Sequence, residues 1–209
     1  MVEAFEERVR RGGDTALWEL GLFFMDANPV NHALKKISAK LEELKIPYAV
    51  VGAMALNAHG FQRATVDVDL LVSPQGLKQV HEHLEGLGYL PAFSGSKHLR
   101  DTEFGVKIEF LVAGHYPGDG KPKPVVFPDP EACTEVIKGV RYLRLPTLID
   151  LKLASGMTNS GRLKDLSDVQ ELIRVLNLGE DYTSKLNPYV REKFKELWLG
   201  VQNDTNRDP

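Results

Sequence analysis

The chain has 209 residues, 43% of them hydrophobic and 26% charged, with a formal net charge of -3. This suffices to bury a core in one domain, or in one domain with an extension, and the balance is that of an ordinary soluble globular protein rather than a fibrous or low-complexity one. The small negative charge speaks against holding nucleic acid by bulk charge, though not against a local basic patch; the lone Cys133 excludes an internal disulfide or a cysteine metal finger; and no apolar run suits a signal peptide or a membrane span, so a cytoplasmic protein with no membrane partner is expected.

Residues 2–10 and 15–26 read as helices broken by Gly12-Gly13-Asp14. The second carries Leu17, Trp18, Leu20, Leu22, Phe23 and Phe24 around much of its circumference, which predicts internal packing in preference to a partner surface. Asn28 and Pro29 cap and open a third helix, running to about Lys45 with Ala33, Leu34, Ile37, Leu41 and Leu44 on one face. A buried strand at Tyr48–Val51 meets Gly52, and a short helix covers Ala53–Ala58. Residues 65–72 (Thr-Val-Asp-Val-Asp-Leu-Leu-Val) are the clearest strand. A helix from Pro74 to about Leu87 is closed by Gly88, and strands follow at Tyr89–Phe93, His98–Thr102 and Gly105–Val112. The Pro- and Gly-rich segment Gly114–Pro130 is a loop with a short strand at Val125–Phe127, and a hairpin covers Glu135–Leu143. Helices are expected over Thr147–Gly156, Arg162–Leu176 and Pro188–Leu199. The pattern predicts an α+β fold: an N-terminal helical segment (1–28), a mixed-sheet core flanked by helices (29–145), a helical C-terminal region (146–201) and a disordered tail (202–209).

Alternation on the strand at 65–72 puts Asp67 and Asp69 on one face, their Cα atoms roughly 6.6–7 Å apart, with Val66, Val68 and Leu70 on the other. Two neighbouring carboxylates repel, and a divalent cation or solvent must compensate. Hard oxygen donors suit Mg²⁺, which completes its shell with water and phosphate oxygens. On the later strand Val106, Ile108 and Phe110 face the core, so Glu109 faces away. If the two strands are neighbours, three carboxylates converge, a set able to hold two metal ions about 3.5–4 Å apart for phosphoryl transfer. Glu109 would then also stand where an acceptor hydroxyl gives up its proton. Upstream, Val50-Val51-Gly52-Ala53 runs from strand into helix, where free backbone N–H groups and the missing side chain suit an anion. The six histidines have no convincing zinc-ligand spacing, and no phosphate-binding loop of the Gly-x-x-x-x-Gly-Lys type is present.

In order, Val51-Gly52-Ala53, Gly60, Arg63, Thr65 and Asp67-Val68-Asp69-Leu70-Leu71-Val72 resemble the DNA polymerase β-like nucleotidyltransferase superfamily. The likeness is greatest to its minimal bacterial branch, which includes abortive-infection toxin nucleotidyltransferases. A second stretch, Leu148-Ile149-Asp150-Leu151-Lys152-Leu153 with Arg162-Leu163-Lys164-Asp165-Leu166-Ser167-Asp168, is similar to that branch's helical region.

The resemblance implies a nucleotidyltransferase core and transfer of a nucleoside monophosphate from an NTP to a hydroxyl on a tRNA, a protein or a small molecule. It implies Asp67, Asp69 and Glu109 as catalytic metal ligands for two Mg²⁺, with Mn²⁺ as an alternative. Gly52, Ala53, Arg63, Thr65, Lys152 and Lys164 would bind the nucleotide, with Asp165 and Asp168 orienting the lysines. An antitoxin is the implied partner if the protein is a toxin. Two positions depart from the family pattern: Ala53 stands where Gly or Ser is usual, and Glu109 where Asp is more frequent. These departures motivate the alternative of an inactive module that binds nucleotide or a partner. Arg141, Arg144, Arg162 and Lys164 gathered beside the pocket would favour an RNA acceptor, and Ser94–His98 reads as a flexible loop that could cover the site.

Overall fold

The computed structural model describes residues 3–24 and 28–205. In chain order the helices are α1 (Phe5–Arg10), α2 (Gly13–Phe24), α3 (Pro29–Glu43), α4 (Gly52–Ala58), α5 (Pro74–Leu84), α6 (Pro130–Cys133), α7 (Leu145–Thr158), α8 (Leu163–Val175) and α9 (Arg191–Thr205). The strands are β1 (Tyr48–Val50), β2 (Asp67–Val72), β3 (Tyr89–Pro91), β4 (Leu99–Asp101), β5 (Lys107–Val112), β6 (Thr134–Ile137) and β7 (Val140–Leu143). Three short 3₁₀ turns lie at Ser160–Arg162, Glu180–Lys185 and Pro188–Val190.

All seven strands form one sheet in the order β3-β4-β5-β2-β1-β7-β6. It is mixed: β2 runs parallel to β5 and β1 parallel to β7, while the other pairings are antiparallel. The expected α+β architecture, a mixed sheet flanked by helices with a helical C-terminal region, is what the chain adopts. One face of the sheet packs Val68, Leu70, Val72, Ile108 and Phe110 against α1, α3 and α5. The other packs Ala49, Leu71, Leu143 and partly buried Leu111 against α7, α8 and α9. Helix α4 serves both, giving Met54 to the first cluster and Ala55 and Leu56 to the second.

Local chemistry explains the boundaries that position the site. The Asn28 side chain accepts from Asn31 N at 2.9 Å and Pro29 opens α3. Ser73 Oγ accepts from Gly76 N at 2.9 Å and Pro74 opens α5.

Several boundaries differ from the expectation. Helix α5 stops at Leu84, because Glu85 turns extended to bridge Tyr89, and Gly86 and Gly88 take φ of 82° and 94°. Segment 125–127 is no strand, although Phe127 exchanges two backbone hydrogen bonds with Gly114 and His115. The tail expected to be disordered from 202 is helical to Thr205, since buried Val201 anchors the last turns of α9 on the helical core. Residues 206–209 lie outside the described residues. The internal packing expected of the second helix fails at Leu17 and Trp18, each 69% exposed. Residues 25 and 26 of the expected helix, and the side chains of Leu20, Phe23 and Phe24, lie outside the described residues.

Candidate active site

Strand β2 alternates half-buried and buried residues from Asp67 to Leu70, and β5 does so throughout. The parallel ladder pairs Asp67 with Lys107, Asp69 with Glu109 and Leu71 with Leu111. All six therefore share the sheet face that α7 and α8 cover. Leu71 and Leu111 lie within the apolar packing under those helices; toward the starts of both strands the same face becomes charged and opens into a cleft.

The cleft has a volume of about 920 Å³, at the upper end of the range for small-molecule sites. Every residue proposed from the sequence to hold metal or nucleotide lines it: Gly52, Ala53, Arg63, Thr65, Asp67, Asp69, Glu109, Lys152 and Lys164; of the two aspartates expected to orient the lysines, Asp165 lines it and Asp168 does not. Arg162 lines it as well, whereas Arg141 and Arg144 do not. Arg141 instead holds Glu42 at 2.7 Å, and Arg144 donates to Thr134 O, so the four-residue basic cluster considered for RNA does not form. Of the Ser94–His98 segment, Lys97 reaches the cleft wall. The 114–127 segment lines another side, fastened to the end of α7 by Asn159 Nδ2 donating to Gly118 O at 3.2 Å and by Lys123 Nζ donating to Thr158 Oγ1 at 3.4 Å.

Gly52 opens α4 with φ of 62°, and a Cβ there would lie 1.9 Å from Asp69 Oδ2. Its backbone can sit against the carboxylate only because it has no side chain. Burial, and then the charges of Asp67 and Glu109, push the Asp69 carboxyl up to about 7; Lys152 and Arg162 oppose the shift. Thr65 Oγ1 donates to Asp67 Oδ1 at 2.5 Å. Glu109 forms an ion pair with Lys107 on its own strand. Among the described residues, no three Asp, Glu, His or Cys side chains stand close enough to form a ready metal cage. The face brings the three acids together, but their carboxyl groups are not gathered around one point.

Behind them an ionic network centred on buried Lys152, Asp165 and Asp168 joins the core to the C-terminal helices. Lys152 Nζ on α7 donates to Asp165 Oδ1 at 3.1 Å and Asp168 Oδ2 at 2.6 Å, both on α8. Asp168 Oδ2 also accepts from Arg63 Nη1 at 2.6 Å, and Asp165 Oδ2 accepts from Ser155 Oγ and Arg162 Nε, each at 2.8 Å. Burial raises the Asp165 carboxyl, but Lys152, Ser155 and Arg162 outweigh it and leave it below the ordinary range. The Arg63 loop is held by Asn57, whose amide accepts from Arg63 N at 2.6 Å and donates to Arg63 O at 2.9 Å. Lys152 thus meets the cleft with two of its protons committed, while Lys164 is exposed at the rim.

Sequence reasoning missed Asn57, Ser155 and Lys107. Nothing in the sequence marks the first two. Lys107 had a signal, because a residue two before Glu109 on a strand shares its face.

No protein-family model matches the chain, and no curated protein matches it. Several solved structures are similar. ANT(2'')-Ia in complex with adenylyl-2''-tobramycin is 15% identical, with 83% of this chain and 97% of that one covered and a TM-score of 0.48. The solution structure of the antibiotic-resistance factor ANT(2'')-Ia is 15% identical, with 82% and 94% covered and a TM-score of 0.49. A protein from H. pylori, provisionally described as a nucleotidyltransferase, is 17% identical, with 91% and 95% covered and a TM-score of 0.46.

Proposed function

We propose that this chain is a divalent-cation-dependent nucleotidyltransferase that moves a nucleoside monophosphate from an NTP to a hydroxyl acceptor and releases pyrophosphate. One observation carries the reading. Asp69 and Glu109 are register partners on adjacent parallel strands, with Asp67 on the same face, at the floor of a cleft that also holds Gly52, Arg63 and Arg162. A face of three acids with one carboxyl pushed up by burial, and then by the charges of the other two, is what compensation by a cation would relieve.

The donor set fits Mg²⁺ or Mn²⁺: hard carboxylate oxygens from Asp67, Asp69 and Glu109, with room beside them for phosphate and water. Bound there, the cation would offset charge on the phosphate oxygens during transfer. The chain's own groups would do the rest. Gly52 and Ala53 leave a side-chain-poor floor against which the triphosphate lies. Arg63, Arg162 and Lys164 offset its charge, and Thr65 orients Asp67. Lys152 acts mainly by holding Asp165 and Asp168, which in turn aim Arg162 and Arg63. Glu109 receives the acceptor's proton. The acceptor is a hydroxyl of a tRNA, a protein or a small molecule.

The test is turnover of labelled NTPs with Mg²⁺. Wild type should consume NTP, and Asp67→Ala should slow it by orders of magnitude. Protein that neither binds nor consumes any NTP would defeat the proposal.

A second reading, a nucleotide-binding module without turnover, draws on the two departures from the family pattern: Ala53 in the first turn of α4, and Glu109, which is paired with Lys107. Calorimetry separates the two: NTP binding without product supports the module. If the enzyme is a toxin held by an antitoxin, expression should slow growth and Asp69→Ala should relieve it.

A further inference from the structure

The acidic face contains a cation of the chain's own. Lys107 pairs in register with Asp67, and strand alternation places its stem beside Asp67 and Glu109 on the acid-bearing face of β5, at the margin of the cleft that the acids line. Its ammonium reaches along β5 to Glu109 Oε1. Asp67, its cross-strand neighbour, has the Thr65 hydroxyl as a partner. The Lys107 and Glu109 side chains are 37% and 29% exposed, so the pair sits at the open edge of the face rather than in the core. Here too the three acids fail to close into a cage. These facts belong together: a glutamate engaged by a neighbouring ammonium is not delivered to a cation shared with Asp67 and Asp69.

We propose that Lys107 is a tethered competitor, occupying on Glu109 the place a divalent cation must take before the site is complete. The proposal rests on reading the face as a cation site. The ammonium is paired with Oε1 of Glu109, and a divalent ion arriving at either oxygen of that carboxylate stands within a few ångströms of a like charge, so binding at Glu109 opposes the Lys107 contact and the contact opposes binding. The pair is well suited to being broken. It is solvent-screened, and lysine is a compact charge on a flexible four-carbon stem that can swing to water. Lys107 therefore sets the cation concentration at which Glu109 joins Asp67 and Asp69, and is a positioning residue for Glu109. Arginine at 107 would keep the charge and the competition; an uncharged residue would remove both.

The experiment titrates the full chain with Mn²⁺ alone at pH 8, following free Mn²⁺ by its electron paramagnetic resonance signal, with a thermal melt of each variant as a folding check. Lys107→Met should bind Mn²⁺ more tightly than wild type, on the order of tenfold, as expected for removing a like charge a few ångströms from the ion. Lys107→Gln repeats the test with a polar side chain, and Lys107→Arg should stay at wild-type affinity. Because the competition acts through Glu109, the gain should vanish when Lys107→Met is combined with Glu109→Gln.

Saturable Mn²⁺ binding that is unchanged or weaker in both folded uncharged variants overturns the role of Lys107 and leaves the cation site standing. A gain that survives Glu109→Gln also overturns it, since the lysine would then act only as a general charge. Wild type and Lys107→Met both failing to take up Mn²⁺ would overturn the cation site and, with it, this inference.

Discussion

Gly52 and Asp69 are in contact in a way that only glycine allows: a Cβ on residue 52 would fall 1.9 Å from the Asp69 carboxylate oxygen. The strand carrying the acids and the turn carrying the glycine therefore constrain each other. Gly52 also sits at φ of 62°, where an L side chain is strained by roughly 1–2 kcal/mol. Gly52→Ala should lower unfolding free energy by at least about that strain. It should also abolish NTP turnover, because Asp69 must move. Wild-type activity with an unchanged urea midpoint would show the contact to be unimportant.

Asp69 predicts a pH dependence whose sign is fixed. Its carboxyl is pushed up to about 7, first by burial and then by Asp67 and Glu109. A cation ligand must be deprotonated, so the apparent Mn²⁺ affinity should fall by up to about tenfold per pH unit below pH 7, with about one proton released on binding. Calorimetry in buffers of different ionisation enthalpy measures that proton.

The same shift acts on stability. The folded value lies above the ordinary 3.8, so between the two the folded state holds more proton than the unfolded. Without a cation, the contribution of Asp69 is fully present below pH 3.8 and is lost as pH rises through 7. Asp69→Asn should therefore raise the melting temperature at pH 8 in chelator while removing turnover. A lower melting temperature than wild type would contradict the cause given for the shift.

Lys152 is expected to matter for stability as much as for the nucleotide. It is buried between Asp165 and Asp168 at 3.1 and 2.6 Å. Lys152→Met leaves two buried carboxylates short of a partner and should cost roughly 3–5 kcal/mol in urea unfolding. Adding Asp165→Asn and Asp168→Asn should recover much of that loss. If the single variant is as stable as wild type, the network does not hold α7 to α8.

Cys133 should be inert. Burial, then the charge of Asp129, pushes its thiol up to about 11, and Sγ lies 3.1 Å from Asp129 O. A disulfide reagent at pH 8 should label it only as fast as the chain opens. Rapid labelling of native protein would contradict this packing.

The acid pair was legible in the sequence because alternation is local: Asp67 and Asp69 share a face whatever β2 pairs with. That Glu109 would stand beside Asp69 was not, because pairing of β2 with β5 joins strands some forty residues apart and only the fold fixes their register. That Asp165 and Asp168 would serve the lysines came from the resemblance alone; that Lys152 takes both while Lys164 stays exposed was not legible, since the partners lie on another helix and only the packing of α7 on α8 brings them together. Lys107 was within reach of the same alternation, standing two residues before Glu109 on its strand, but was missed. The ends of α5 and α9 went astray where tertiary pairing overrode local signals, through the Glu85–Tyr89 bridge in one case and the burial of Val201 in the other.

The Arg63–Asp168 ion pair ties a loop near the first quarter of the chain to a helix in its last quarter. A ribosome that has made Arg63 must still add about a hundred residues before Asp168 exists. During synthesis the acids of β2 and β5 are therefore made before the helix that holds the Arg63 loop at one wall of their cleft.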